Sequence, residues 1–333
     1  MLPRRLVKRR ELIMSVGGTA VLWPFSVRAD VSRPRPLITW CSGLSQESAA
    51  PVVGAFKDGL RELGYNEGVN IGVVYRFGDG REDRIPALAE ELVGLKPAVI
   101  VAVGTNIAVA VKKLASTIPI VSGFLADAVN LGLIESYPHP GGNVTGVAPY
   151  MEGLPAKQME LAREVVPGAI RVGILGNLND PKGPPQRREL DDAAQSLGVS
   201  VVAPEIRAPD DIEGAMQTLA KERVDVVIVL QTTMLLSERH QIAVAAAASR
   251  LPTVYGYREH VVEGGLISYG VDTRWCSRST AAYVDKILKG AAPGDLPVEF
   301  PARLQLVINL KTAKALGITI SPLLLSRADE VIE

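Results

Sequence analysis

Cysteine is scarce in this 333-residue chain, with two, and histidine hardly less so, with three. Two thiols, Cys41 and Cys276, are too few for a disulfide framework or a structural zinc site. Of the histidines, His139 sits in a Pro-His-Pro turn, His240 beside Arg239 and His260 beside Glu259. No two stand at metal-ligand spacing, so each reads as a surface or structural residue, and no metal or cofactor is expected. The motifs that announce catalysis are missing too: no Walker loop, H-E-x-x-H, G-x-S-x-G or dinucleotide G-x-G-x-x-G occurs. Residues 141–146 are glycine-rich, but they precede a strand-like crossing rather than a helix and read as a turn, not a phosphate loop. Net charge is absent as well, with 36 basic and 36 acidic residues. Six of the basic and one of the acidic residues lie within 1–29, which leaves 30 against 35, a net charge of −5, on the body of the chain. A mildly acidic body argues against a nucleic-acid partner. After residue 30 no apolar run approaches the ~20 residues needed to cross a bilayer.

What is present begins with an address. Arg4, Arg5, Lys8, Arg9 and Arg10 form a basic segment, residues 12–25 a short apolar one broken by Gly17, Gly18 and Pro24, and Val27-Arg28-Ala29 offers small residues at the −3 and −1 positions of a cleavage site. This is the layout of a signal peptide over residues 1–29, with the mature chain starting near Asp30. Arg9-Arg10-Glu11-Leu12-Ile13 resembles a twin-arginine signal, although Lys8 stands where Ser or Thr is usual. Trp40 before Cys41 is too large for a lipoprotein site, so no lipid anchor is expected. The mature protein is expected to be periplasmic and not inserted in a membrane.

Beyond Pro36, β-branched runs alternate with amphipathic helical patterns. Strands are expected at residues 37–41, 71–75, 98–103 and 118–121, with helices carrying Val52, Phe56, Leu60 and Leu63, and then residues 107–114. The rhythm restarts with strands at 171–175, 199–202, 224–230 and 253–255, one more at 264–270, a helix at 275–289 and a strand at 304–310. Continuous apolar strands such as 224–230 suit a parallel sheet covered on both faces. The expected fold is α/β, two doubly wound parallel-sheet lobes joined by a multi-strand hinge. The first lobe is expected over 30–147 with a returning tail over 272–333, the second over 148–271, and the first junction near 145–150. In two facing lobes the carboxyl ends of the strands open into one shared cleft, where a ligand binds. If the tail returns to the first lobe, Cys41 and Cys276 could pair in an oxidising compartment; buried free thiols are the other reading.

Several segments together resemble the substrate-binding proteins of ABC transporters, of the tryptophan-binding type. They are Ala55-Phe56-Lys57-Asp58-Gly59-Leu60-Arg61-Glu62-Leu63-Gly64-Tyr65 with Glu67-Gly68-Val69-Asn70-Ile71, Pro140-Gly141-Gly142-Asn143-Val144-Thr145-Gly146, Tyr257-Arg258-Glu259, and Gly264-Gly265-Leu266-Ile267-Ser268-Tyr269-Gly270. Leu306-Val307-Ile308-Asn309-Leu310-Lys311-Thr312-Ala313-Lys314-Ala315-Leu316-Gly317 and the closing Arg327-Ala328-Asp329-Glu330-Val331-Ile332 belong with them. The resemblance implies a class I periplasmic-binding-protein fold that closes on a small solute and delivers it to a membrane permease, normally as a monomer. Cys41-Ser42-Gly43-Leu44 and Ala126-Asp127-Ala128 depart from the family's usual hydroxyl-rich opening and Gly-Asp-Pro, so tryptophan does not carry over as the solute.

Candidate ligand contacts follow from strand ends. Ser42 and Ser45 after the first strand, and Thr105 and Asn106 after the third, precede helices and suit a carboxylate; helix capping competes for Ser42, Ser45 and Thr105. Asp127 could pair a ligand ammonium or cap a following helix. From the second lobe the candidates are Asn177, Gln231, Thr232, Tyr255 and, after the returning strand, Asp272. Tyr255 could stack on a planar ligand or pack in the core. The leading functional expectation is reversible capture of an amino acid or other small carboxylate-like solute, without turnover. The alternatives are an extracytoplasmic sensor subunit and, behind it, an exported two-lobed enzyme.

Overall fold

The computed structural model describes residues 35–149 and 151–333. The expected signal peptide, its twin-arginine motif and the cleavage point near Asp30 lie outside the described residues.

The first lobe comprises β1 (Leu37–Ser42), α1 (Gln46–Glu62), β2 (Gly72–Phe77), α2 (Ile85–Gly94), β3 (Val99–Val103), α3 (Thr105–Leu114), β4 (Ile120–Ser122) and β5 (Val144–Gly146). Its five strands are all parallel, in the order β2-β1-β3-β4-β5. The uninterrupted Val-Ile-Val-Ala-Val of β3 is buried throughout, as an interior parallel strand requires. Side chains alternate across β1: Ile38 and Trp40 face a core shared with Val52, Phe56 and Leu60 of α1, while Cys41 faces the core of α2 and α3.

The second lobe comprises α4 (Leu154–Val165), β6 (Arg171–Asn177), α5 (Gly183–Leu197), β7 (Ser200–Val202), β8 (Glu205–Ile206), α6 (Asp211–Lys221), β9 (Val226–Val229), α7 (Thr233–Ser237), α8 (Arg239–Ala248), β10 (Thr253–Tyr255), α9 (Arg258–Val262) and β11 (Ile267–Val271). The chain then runs through α10 (Thr273–Leu288), β12 (Leu304–Asn309), α11 (Leu310–Leu316), α12 (Pro322–Arg327) and β13 (Glu330–Ile332). The second sheet has the order β13-β12-β11-β10-β9-β6-β7, with β8 paired to β6; only the β11–β12 pair is antiparallel.

The tail divides, which corrects the expectation that residues 272–333 belong to the first lobe as a whole. Helix α10 packs along α1, and its Cys276, Ala281, Tyr283 and Val284 join the first lobe's core. β12 instead pairs with β11, and Leu306, Val307 and Ile308 are buried in the second core. The reason is the open edge of β11, whose N–H and C=O groups β12 satisfies. Cys41 and Cys276 are both buried and free. They fall in cores on opposite faces of the first sheet, so the sheet itself separates the two sulfurs.

Three crossings join the lobes, after β5, after β11 and before β12. The first and third are bridged in parallel at Val147 and Glu299, where Ala148 N–H donates to Glu299 O at 2.9 Å and Glu299 N–H to Gly146 O at 3.0 Å. Each lobe is left through a glycine pressed on a carbonyl. A Cβ at Gly146 would stand 1.9 Å from Ser122 O, and one at Gly270 1.8 Å from Gly256 O, so neither position admits a side chain.

Candidate functional site: an interlobe cleft

The carboxyl ends of both parallel sheets face each other across a cleft. Ser42, Leu44, Val52, Val103, Gly104 and Phe124 of the first lobe wall one side of a small cavity; Lys182, Thr233, Leu236 and Tyr257 of the second wall the other. The lobes are closed on it: the cavity is about 20 Å³, room for a water-sized group. Leu236 and Tyr257 are buried in the same apolar cluster as Leu44 and Phe124, so the first lobe's core continues across the cleft. Polar contacts also bridge it. Ser48 Oγ donates to Ser237 O at 3.3 Å, and Asn177 Nδ2 lies 3.5 Å from Glu82 Oε1.

The charged part of the wall is built by the loop between β6 and α5. Asp180, 2% exposed, accepts from Lys182 N–H at 3.0 Å and from Thr233 N–H at 2.8 Å, tying the loop to the start of α7. Gly183 lets the loop close on the strand, since a Cβ there would be 2.4 Å from Asn177 O. These constraints place Lys182, 5% exposed, inside the cleft with its Nζ 3.4 Å from Tyr257 Oη. Burial disfavours its charge, but Tyr257 and Asp180 outweigh burial and hold the ammonium above the usual lysine range. Glu82, half-buried at the first lobe's rim, is raised above the usual carboxylate range by burial and by Asp180, against the hydrogen bond from Asn177.

Of the ten residues expected from the sequence to contact ligand, Ser42 lines the enclosed cavity. Its Oγ accepts from Leu44 N–H at 3.2 Å. Asn177 and Thr232 are buried at the ends of β6 and β9, and Thr232 Oγ1 has no hydrogen-bond partner among the described residues. Ser45 caps α1 by accepting from Ser48 N–H. Thr105 Oγ1 donates to Phe124 O at 3.1 Å and accepts from Ala126 N–H at 2.9 Å, locking two strand-end loops together. Asn106 lines an outer groove between α2 and α3. Asp127, at φ 51°, accepts from Asn130 Nδ2 in a turn that leads into no helix. Gln231 Nε2 donates to Gly256 O at 2.8 Å, holding the second lobe's strand ends together. Tyr255 is fully buried and stacks on His260 with ring centres 4.6 Å apart. Asp272 caps α10 through Arg274 and Trp275 N–H, beside Arg303 and Gln305, outside the enclosed cavity.

Sequence reasoning missed Lys182, Asp180, Thr233 and Tyr257. The signal was there: Asn177-Leu178-Asn179-Asp180-Pro181-Lys182-Gly183 is the same strand-end loop from which Asn177 was chosen, and Thr233 directly follows Thr232. His260 is held to about 4 by burial, and burial pushes the Cys41 thiol up to about 12 and Cys276 higher still. Among the described residues no group of three His, Cys, Asp or Glu side chains could hold a metal ion, and no helix is long and apolar enough to cross a membrane.

Two parallel-sheet lobes, three crossings and a cleft walled from both sides define the class I periplasmic-binding-protein fold. The chain belongs to the ABC transporter substrate binding protein family, whose model matches residues 40–332. It is 27% identical over 278 residues to the tyrosine-binding protein of Clostridioides difficile, covering 82% of this chain and 80% of that one. Among solved structures it is similar to a conserved domain protein of Vibrio cholerae, with a TM-score of 0.84 and 28% identity over 89% of this chain and 99% of the other. The ABC domain of Streptococcus pneumoniae solved in complex with L-Trp matches with a TM-score of 0.83 and 24% identity, over 90% and 100% of the two chains.

Proposed function

We propose that this chain captures an amino acid or another small carboxylate between its lobes and delivers it to the membrane permease of an ABC transporter. The observation that carries the reading is one cavity walled by both lobes at the carboxyl ends of both sheets, with a buried ammonium on one side. Phe124, Leu236 and Tyr257 give the cavity an apolar and aromatic lining suited to a hydrophobic side chain. The tyrosine-binding relative and the L-Trp complex support the amino-acid class. The N-terminal layout supports export with cleavage after Ala29, so the mature chain works in the periplasm, and we take it to work as a monomer, the default for this fold. Binding without turnover is the whole of its chemistry.

The test is a thermal-shift screen of the chain from Asp30 against amino acids, small carboxylates, nucleosides and sugars. A solute that binds only the folded form stabilises it by about 2.7 kcal/mol at a hundredfold excess over Kd. A saturable shift with the solute recovered unchanged is expected, and recovery of a converted product would overturn the reading. N-terminal sequencing of the periplasmic fraction checks the export step.

A further inference from the structure

Lys182 is a buried cation with little to do inside the closed protein. Its ammonium has three protons to donate. Among the described residues its side chain makes one hydrogen bond, the 3.4 Å contact with the Tyr257 hydroxyl, and no salt bridge within 4.0 Å. Asp180 lies near, but its two carboxylate oxygens are engaged by the backbone N–H groups of Lys182 and Thr233, so it holds the loop rather than neutralising the ammonium at close range. Tyr257 and Asp180 keep the ammonium charged, and the protons it does not give to Tyr257 are open to an acceptor that a bound solute brings.

The opposite wall offers matching chemistry. Gly104, at the N-terminus of the ten-residue α3, lines the same cavity; in that first turn Gly104 N–H donates to Ala102 O at 3.1 Å and Ile107 N–H to Asn106 Oδ1 at 3.0 Å. The partial positive charge of the helix end favours an anion. Ser42 places a hydroxyl on the same wall. Among the described residues that line the cavity, Lys182 is the one with an ammonium or carboxylate side chain, and the first-lobe wall has none. Resting on the solute-binding reading above, the geometry points to Lys182 as the residue that selects an anionic solute: its ammonium takes the ligand's carboxylate from the second lobe while Ser42 and the α3 N-terminus take it from the first. The carboxylate then ties the two lobes to each other, and, with the lobes parted from the cavity of about 20 Å³ seen here, the remaining body of the solute lies against Leu44, Phe124 and Leu236.

The experiment compares carboxylates with their own primary amides: L-tryptophan, L-tyrosine and 3-phenylpropionate, each as acid and as amide, titrated calorimetrically into the mature chain. Wild-type protein is expected to prefer the acid by roughly 30-fold, the discrimination of a hydrogen bond to a charged group. Lys182→Met is expected to bind acid and amide within about twofold of each other, with Lys182→Arg restoring part of the preference. Thermal unfolding of each variant shows whether it is folded, and the wild-type acid-to-amide ratio stands without any variant. An equal loss for acid and amide in Lys182→Met, or an unchanged preference, overturns the assignment. Binding confined to solutes without a carboxylate overturns it as well, along with the carboxylate class proposed above, and leaves capture of a solute between the lobes intact. Failure to bind any solute of any class removes that reading and this assignment together.

Discussion

The two lobes share a topology but not an interior. Between residues 37 and 147 the buried polar side chains are all hydroxyls: Thr39, Ser42, Thr105, Ser122 and Thr145. The second lobe buries amides, a carboxylate, an ammonium and an imidazole, in Gln158, Asn177, Asp180, Lys182, Gln186, Gln231 and His260. Hydroxyls are cheap to bury because a neighbouring carbonyl satisfies them, as Phe124 O does for Thr105. Amides require several partners each, and for its glutamines the second lobe supplies them in a network: Gln186 Oε1 accepts from Gln231 N–H at 2.8 Å, and Gln231 Nε2 donates to Gly256 O at 2.8 Å. Residues 37–147 of the first lobe are therefore chemically plain inside, and the second lobe holds its buried amides in place with its own hydrogen bonds.

Where the lobes should behave alike is at their exits. Gly146→Ala and Gly270→Ala each drive a methyl group into a backbone carbonyl, and Gly146 also sits at φ 139°. Each substitution is expected to cost about 3 kcal/mol or more in urea unfolding. A marked inequality between them would show that the hinge leans on one lobe.

The buried imidazole separates the lobes by pH. His260 is neutral in the folded protein down to about 4, whereas an unfolded histidine protonates near 6.5. Above pH ~6.5 the residue is neutral in both states and contributes no slope; below it the unfolded chain takes up the proton first. Stability is thus lost between pH ~6.5 and ~4, by about 3 kcal/mol, and His260→Asn should flatten that part of the profile when urea midpoints are compared across it.

The apolar bridge between the lobes is smaller again. Leu236, of the second lobe, is buried among first-lobe residues. Leu236→Ala is expected to disfavour closure by about 2 kcal/mol, seen as a larger radius of gyration in solution scattering. At the far edge of the second sheet, Arg258 grips Glu330 at 2.5 and 2.6 Å, but both side chains are partly exposed, 28% and 38%. Glu330→Gln should change stability by less than about 1 kcal/mol, since water screens the pair.

The same contrast governs how much could be read from the sequence. The alternating βα rhythm and the continuous apolar strands are local signals, and they carried the α/β two-lobed class and the place of the cleft. The route of the tail was not legible, because residues 304–309 are apolar enough for either sheet; the free edge of β11, a property of the assembled lobe, decides the matter. The site was half legible. Strand ends pointed to Ser42 and Asn177, but a residue type does not reveal which way its oxygen points: Thr105, Ser45 and Asp272 turn theirs to backbone N–H or carbonyl groups nearby. Lys182 went unseen because a lysine in a polar loop reads as solvated, and only the Asp180 clasp and the close approach of Gly183 show it turned inward.

The pairing of Val147 with Glu299 bears on how the molecule opens. Two of the three connections are laced into a single ribbon, so they flex together instead of sliding past each other. Such a joint leaves one soft rotation, with the rims of the cleft as the ends of a lever. A change of an ångström beside Ser42 and Lys182 becomes a displacement several times larger at the outer tips of the lobes. Whatever sits against those tips can sense whether the cleft is filled without touching its contents.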